Sequence, residues 1–337
     1  MFLDPLIARL PYPSKAVQRA VAIAAIVTQA GISVTGSVVR VTGSGLGCPT
    51  WPQCHAGSMF PVEHPEYAAL NQWIEFSNRM LTILVVIVAA LCLITAWRVR
   101  RDHTDRKRLV LLAWAMPGGV FLQAAIGGVT VLTGLLWWTV AVHFVVSAVL
   151  VWLAVLLLHA FEEGDDAARW LIGRTGRSVL ILLVVVLGVL LTAGTVLTGA
   201  GPHGGDPGTP RLQAPIEVLA QVHGGFLVAY LLVLATLGVS LLRVSAPVAF
   251  VRRYAIVWVV ALSQGALGSV QYALNVPEEL VSLHVLGSAL VVIATAALWC
   301  AGRDRGPAPD DPRSGGPGPR AVGSRGTVLG TDLKNAA

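Results

Sequence analysis

The sequence predicts an all-α polytopic membrane protein whose eight transmembrane helices form two tandem, parallel four-helix bundles. Three observations predict it. Of 337 residues, 55% are hydrophobic and 12% charged, against about 25% charged in a typical soluble domain. The apolar residues fall in runs long enough to span a bilayer, which takes about 20 residues per helix. These runs are continuous, where a membrane β-barrel would alternate. The third observation is that motifs of the first half of the chain recur in the second. An ordinary soluble enzyme, a disordered chain and a small disulfide framework are all excluded.

In chain order, spans are expected at 19–39, 73–97, 109–133, 138–160, 178–199, 218–242, 254–274 and 280–301. The first starts only after Arg19 and no small-residue cleavage site follows it, so it reads as a span and not as a signal peptide. The basic residues orient the set. Segments 1–19, 98–108, 161–177, 243–253 and 302–337 carry 3, 6, 3, 3 and 6 Lys or Arg, while the alternate loops 40–72, 134–137, 200–217 and 275–279 carry only Arg40 and Arg211. Excess Lys and Arg mark cytoplasmic loops, so a multi-pass protein of the cell membrane with both termini in the cytoplasm is expected. The net charge of +6 is then a topology signal, and no nucleic-acid partner is implied. The chain divides into a cytoplasmic N-terminus (1–18), a first bundle (19–160), a cytoplasmic linker (161–177), a second bundle (178–301) and a tail (302–337). The tail is rich in Gly, Pro, Arg and Asp without periodicity and is expected to be disordered.

The repeat relates the two bundles. Gln123-Ala-Ala-Ile-Gly-Gly-Val in the third span matches Gln264-Gly-Ala-Leu-Gly-Ser-Val in the seventh, 141 residues on, and His143 and His284 are also 141 apart. Val41-Thr42-Gly43-Ser44-Gly45 matches Leu197-Thr198-Gly199-Ala200-Gly201, and Asn78 aligns with His223. Four spans per unit is an even number, so both units enter the membrane in the same direction, unlike the inverted repeats of many transporters. The small residues in the third and seventh spans allow close backbone approach.

Ionisable residues inside a membrane are costly and usually functional. Here they are Glu75, Arg79, His143, His223 and His284, all in even-numbered spans and a few residues past the outer end of each. Glu75, Asn78 and Arg79 share one helix face by their i, i+3, i+4 spacing. Two imidazoles at matched depth across a bundle, His223 and His284, suit the axial positions of a six-coordinate haem iron. The first unit offers His143 but has Asn78, a poor iron ligand, where a second His would stand. It resembles a haem site with one open coordination position and a nearby carboxylate, as a substrate site would have. A bare salt bridge between Glu75 and Arg79 is the bland alternative for that pair.

Cys48-Pro-Thr-Trp-Pro-Gln-Cys54 lies in the first outer loop, where an oxidising compartment makes a loop-closing disulfide plausible; the spacing is wider than that of a paired zinc motif. Cys92 and Cys300 fall in apolar helix and read as buried thiols. His55, His64 and His203 read as solvated loop residues, and His103 and His159 as residues of the cytoplasmic side.

The stretch Thr42-Gly43-Ser44-Gly45-Leu46-Gly47-Cys48-Pro49-Thr50-Trp51-Pro52-Gln53-Cys54, then Glu75-Phe76-Ser77-Asn78-Arg79 and the single His of spans four, six and eight, resembles haem A synthases over about residues 20–300. The resemblance implies an eight-helix oxidoreductase that converts the C8 methyl of haem O to a formyl group by successive hydroxylations, giving haem A for terminal oxidases. It implies a resident haem b on the iron ligands His223 and His284, and a substrate-haem site with Glu75 and His143 as catalytic residues, His143 on the substrate iron. Asn78 and Arg79 would line that pocket, and Cys48 and Cys54 would form the outer-loop disulfide. Arg79 or Arg40 would pair with haem propionates. Haem O would arrive from haem O synthase within the lipid, and association into a homo-oligomer stays open. Two departures are visible: many members carry His at the position of Asn78, and some carry a second Cys pair where this chain has Gly201-Pro202-His203-Gly204-Gly205-Asp206. Both are features of an actinobacterial type. A non-enzymatic haem electron carrier would need four matched His, and a haem transporter fits the parallel repeat less well. A haem O synthase would need Asp-rich motifs that this chain does not have.

Overall fold

The structure, a computed structural model, describes residues 4–309; the part of the predicted tail from 310 onward lies outside the described residues. A short helix α1 (Asp4–Arg9) precedes eight long ones: α2 (Lys15–Val41), α3 (Ala69–Asp102), α4 (Lys107–Leu132), α5 (Trp137–Glu162), α6 (Gly173–Ala200), α7 (Ile216–Leu241), α8 (Val248–Ala273) and α9 (Glu278–Ala301). All eight are long and apolar enough to cross a membrane. Each expected span is one of these helices.

The largest boundary difference is at the start of α8, six residues before the expected span, and α3 continues five residues past its expected end through Arg98, Arg100 and Arg101 to Asp102. Hydropathy marks where apolar sequence stops, whereas a helix persists as long as its polar side chains find partners. Arg98 pairs with Asp102 one turn on at 2.8 Å, donates from Nε to the Leu10 carbonyl at 2.8 Å and covers the Tyr12 ring.

The helices α2 to α5 close into a ring, each packed on its two neighbours. Small residues let the axes approach: Ala22, Ala25, Ala89, Ala96, Ala113 and Ala154 are all buried in one core. The second half is built differently. The α6–α7 and α8–α9 hairpins are each tightly packed, yet α7 meets α8 and α6 meets α9 at only a few points. Instead α9 leans on α2 and α5, and α6 leans on α5, so Ala30 and Val151 of the first half enter the second core. Two independent and equal bundles are therefore not what the contacts describe.

The repeat is legible in the backbone as well. The α4–α5 turn holds Gly134 and Leu135 at φ 69° and 58°, and the α8–α9 turn holds Asn275 and Val276 at φ 59° and 61°. In both turns the second residue's N–H reaches back to a carbonyl five residues earlier, at 2.8 Å (Leu135 to Thr130, Val276 to Gln271). A left-handed Val is unfavourable and is held here by that bond.

At the end of the molecule opposite the cysteine loop, residues 163–172 and 302–309 are pinned together. Strands β1 (Arg169–Trp170) and β2 (Arg303–Asp304) pair antiparallel, Gly164 donates to Gly306 at 2.8 Å, and Glu163 bridges to Pro307. The expected disorder from residue 302 is thus corrected for 302–309. Composition could not show that the linker offers this segment backbone partners and a salt bridge, Arg169 to Asp304 at 2.9 Å. Arg106, fully buried, anchors the same region through Asp165 at 3.1 Å and the carbonyls of Ala160 and Glu163.

Candidate functional site

The site residues gather at the end of the helices that carries loop 42–68. There, an imidazole or amide of each even span faces a glycine of the preceding odd span. A Cβ added at Gly194 of α6 would lie 3.0 Å from His223 Cε1, at Gly268 of α8 2.9 Å from His284 Cε1, and at Gly127 of α4 3.3 Å from His143 Cε1. At the fourth such place a Cβ on Gly36 of α2 would lie 4.0 Å from Asn78 Nδ2. Without side chains at Gly127, Gly194 and Gly268, the three imidazoles approach the helix backbone closely. A second device also recurs: Gln123 Nε2 donates to the His143 carbonyl at 3.1 Å and Gln264 Nε2 to the His284 carbonyl at 2.8 Å.

In the second half, His223 and His284 face each other with ring centroids 6.4 Å apart. Two imidazoles sharing one six-coordinate iron, each about 2 Å from it through a ring nitrogen, have centroids about 6 Å apart. The pair therefore fits a bis-imidazole porphyrin iron. The Nδ1 atoms of His284 and His143 are buried without hydrogen-bond partners. The sparse contact of α7 with α8 and of α6 with α9 leaves the sides of this site open between helices.

The first half has one imidazole, His143, and a set of bonded polar groups on α2, α3 and the cysteine loop. Asn78 Oδ1 accepts from Thr35 Oγ1 at 2.7 Å. Glu75 is buried; its Oε2 accepts from the Cys48 backbone N–H at 2.7 Å and its Oε1 from Arg79 Nη2 at 2.5 Å and Nε at 3.2 Å. Arg79 also donates to the carbonyls of Cys48 (2.7 Å), Thr50 (2.9 Å) and Gln53 (3.1 Å). Cys48 and Cys54 are disulfide-bonded and both are buried. The Glu75–Arg79 pair thus holds the cysteine loop by four of its backbone groups. This corrects one expectation: the five donors of an arginine are all used on Glu75 and the loop carbonyls, so Arg79 has none left for a propionate. The salt bridge weighed from the sequence is present, and it does more than neutralise charge.

Loop packing explains the small residues of the motif. A Cβ on Gly47 would sit 2.6 Å from the Asn71 backbone, so the chain can pass α3 there only as glycine. Trp51 is carried across to α4, where a Cβ on Gly128 would lie 2.8 Å from its indole ring. Trp51 and the glycines 36 and 194 were not singled out as site residues from sequence. The available signal was a glycine recurring in every odd span about as far from its end as the His lies from the start of the next.

Other histidines fall away from the site. His55 is buried, correcting its expected solvation: its Nε2 bonds Gln72 Oε1 at 2.9 Å and its ring stacks on His64. His203 Nε2 lies 2.8 Å from the Val276 carbonyl, tying the α6–α7 loop to the α8–α9 turn. His159 is near Arg253 at the opposite end. Cys92 and Cys300 are free and buried, as expected. Arg40 lies between the halves and donates to the Thr198 carbonyl at 3.0 Å.

Comparison with known proteins agrees with this pattern. The family model COX15-CtaA, described as cytochrome oxidase assembly protein, matches residues 19–210. A protein named heme A synthase from Staphylococcus aureus (strain bovine RF122 / ET3-1) is 27% identical over 160 residues, 46% of this chain and 50% of that protein. Its counterparts from strains JH9 and Newman are 26% identical over the same shares. The chain spans about half the length of the curated relatives it matches. With more than half of its residues under the family model, the chain belongs to the COX15-CtaA family of cytochrome oxidase assembly proteins.

Proposed function

We propose that the protein is a haem A synthase of the cell membrane, oxidising the C8 methyl of haem O to a formyl group by successive hydroxylations. The observation that carries this reading is the asymmetry of two repeated sites. One has two imidazoles facing at 6.4 Å, and the other has one imidazole, an amide and a held carboxylate. A permanent electron carrier suits the first and a ligand that must come and go suits the second.

His223 and His284 would hold haem b, which supplies one-electron chemistry when bound. His143 would bind the iron of the haem O substrate, leaving its other face toward Asn78. A membrane interior excludes water from the reacting methyl and solvates the farnesyl tail. Glu75 is the proposed proton-handling group. A carboxylate offers about four lone-pair sites and three are engaged, so one remains for a substrate hydroxyl or a proton. Arg79 keeps that carboxylate in place. Haem O would come from haem O synthase, and the termini would lie in the cytoplasm.

The decisive test is coexpression with a haem O source followed by pigment analysis. Haem A should accumulate, whereas an electron carrier or a transporter would yield no new pigment. Glu75→Ala should lower haem A formation by about a hundredfold or more, the usual range for losing a positioned acid–base group. Full haem A production by that variant would end the carboxylate's role.

A further inference from the structure

Two arginines at the loop end have no acidic partner. Arg40, in the last turn of α2, donates from Nη2 to the Thr198 carbonyl, 158 residues away, at 3.0 Å. Arg211, from the α6–α7 loop, donates to the same carbonyl at 2.6 Å and from Nε to the Gly201 carbonyl at 2.9 Å. Arg79, Arg98, Arg106 and Arg108 each have a carboxylate within 3.1 Å. Among the described residues, Arg40 and Arg211 have none within 4 Å. The acidic residue of their own loop, Asp206, is turned to the Gly208 N–H at 2.8 Å. Carbonyls at a helix end offset part of two converging positive charges, but a part-buried like-charged pair of guanidiniums still lacks its anion.

Position identifies the anion. Thr198 is four residues beyond Gly194 on α6, about 6 Å along the helix, and Gly194 is the residue against which His223 rests. Arg40 reaches this point from α2, which packs on α9, the helix of His284. Both guanidiniums therefore meet at a carbonyl about one helical turn outward, along α6, of the glycine on which His223 rests. Of its five donors, Arg40 uses one in these contacts. A planar fork of donors matches a carboxylate two bonds at a time.

We propose that Arg40 and Arg211 form a carboxylate-binding site for the propionate groups of the porphyrin held by His223 and His284. The first half of the molecule thereby completes the cofactor site of the second. This rests on the haem reading above and extends it to a residue that crosses between the halves. Propionates and lipid headgroups share the anionic chemistry such a site recognises, so the experiment separates them.

The test uses the full chain, purified and titrated with haem b and with its dimethyl ester, which keeps the iron and ring but has no carboxylates. Wild type should bind the diacid about ten- to a hundredfold more tightly, the range for charge-assisted hydrogen bonds. Arg40→Gln should reduce that preference severalfold and Arg40→Gln with Arg211→Gln should remove it, while bound haem keeps the low-spin spectrum of the intact His pair. The same variants should lower the reduction midpoint. If Arg40→Gln does not fold, Arg40→Lys, which keeps the charge and loses the fork, should show an intermediate preference. Equal binding of diacid and ester by wild type overturns the site while leaving the haem reading intact. So does phospholipid phosphate that copurifies with wild type but not with the variants in the absence of any diacid preference. Failure to bind either porphyrin overturns both.

Discussion

In the first half of the molecule, His143 rests on Gly127 and receives a glutamine at its carbonyl, while Asn78 is bonded to Thr35 and Glu75 to the disulfide loop. In the second, His284 rests on Gly268 with the same glutamine contact, but its opposite neighbour is His223 and no side-chain carboxylate intervenes. The scaffold of helix, glycine and imidazole is common to both, and the differences lie in the fourth position and in the loop. At the fourth repeated position the second half has His223 and the first has Asn78, so one half has two facing imidazoles and the other has one. Packing follows the same division. The first half is a closed ring, and the second is two hairpins that lean on it and meet each other at only a few points.

The largest expected effect breaks the comparison outright. His223→Ala or His284→Ala should abolish the low-spin b-type absorbance of the purified protein, and His143→Ala should leave it intact. The reverse pattern in an optical spectrum would exchange the roles of the halves. Next, Asn78→His should turn the first half into a second bis-imidazole site, doubling tightly held haem per chain in a pigment extraction. Unchanged haem content would show that the fourth position does not set the asymmetry.

Smaller effects sharpen the role of the glycines. Gly268→Ala and Gly194→Ala place a methyl at 2.9 and 3.0 Å from an imidazole carbon and should cost about 1–3 kcal/mol as overpacking. That cost would be read as about tenfold or greater faster haem loss on dilution. Gly127→Ala, at 3.3 Å, should act more mildly and only on the first half. Gly36→Ala, 4.0 Å from Asn78 Nδ2, should stay within about 0.5 kcal/mol in thermal unfolding. A large loss there would mean that Asn78 is held as tightly as the histidines are.

Much of this was legible in the chain. The eight helices were placed to within a few residues, because a bilayer span is a property of one continuous window of sequence. Gln123 and Gln264, His143 and His284 were aligned by spacing alone. A Cys48–Cys54 disulfide was plausible from its short loop and compartment and was implied by the family resemblance, and it is present. The departures have a common cause. The fate of Arg79 depended on how residues 48–54 fold back over α3, and the ordering of 302–309 depended on backbone partners more than 130 residues earlier.

By itself, then, the sequence determined which segments are helices, that they come in two related sets, and which few polar side chains each set carries. Tertiary structure decided that glycine backbones bed the imidazoles, that Glu75 and Arg79 clasp the disulfide loop, and that Arg40 meets a carbonyl of the other half. Hydropathy and spacing are local quantities that a short window contains. The partner of a guanidinium is set by where two helices lie side by side, and Arg40 and Thr198, 158 residues apart, meet only once both halves have packed.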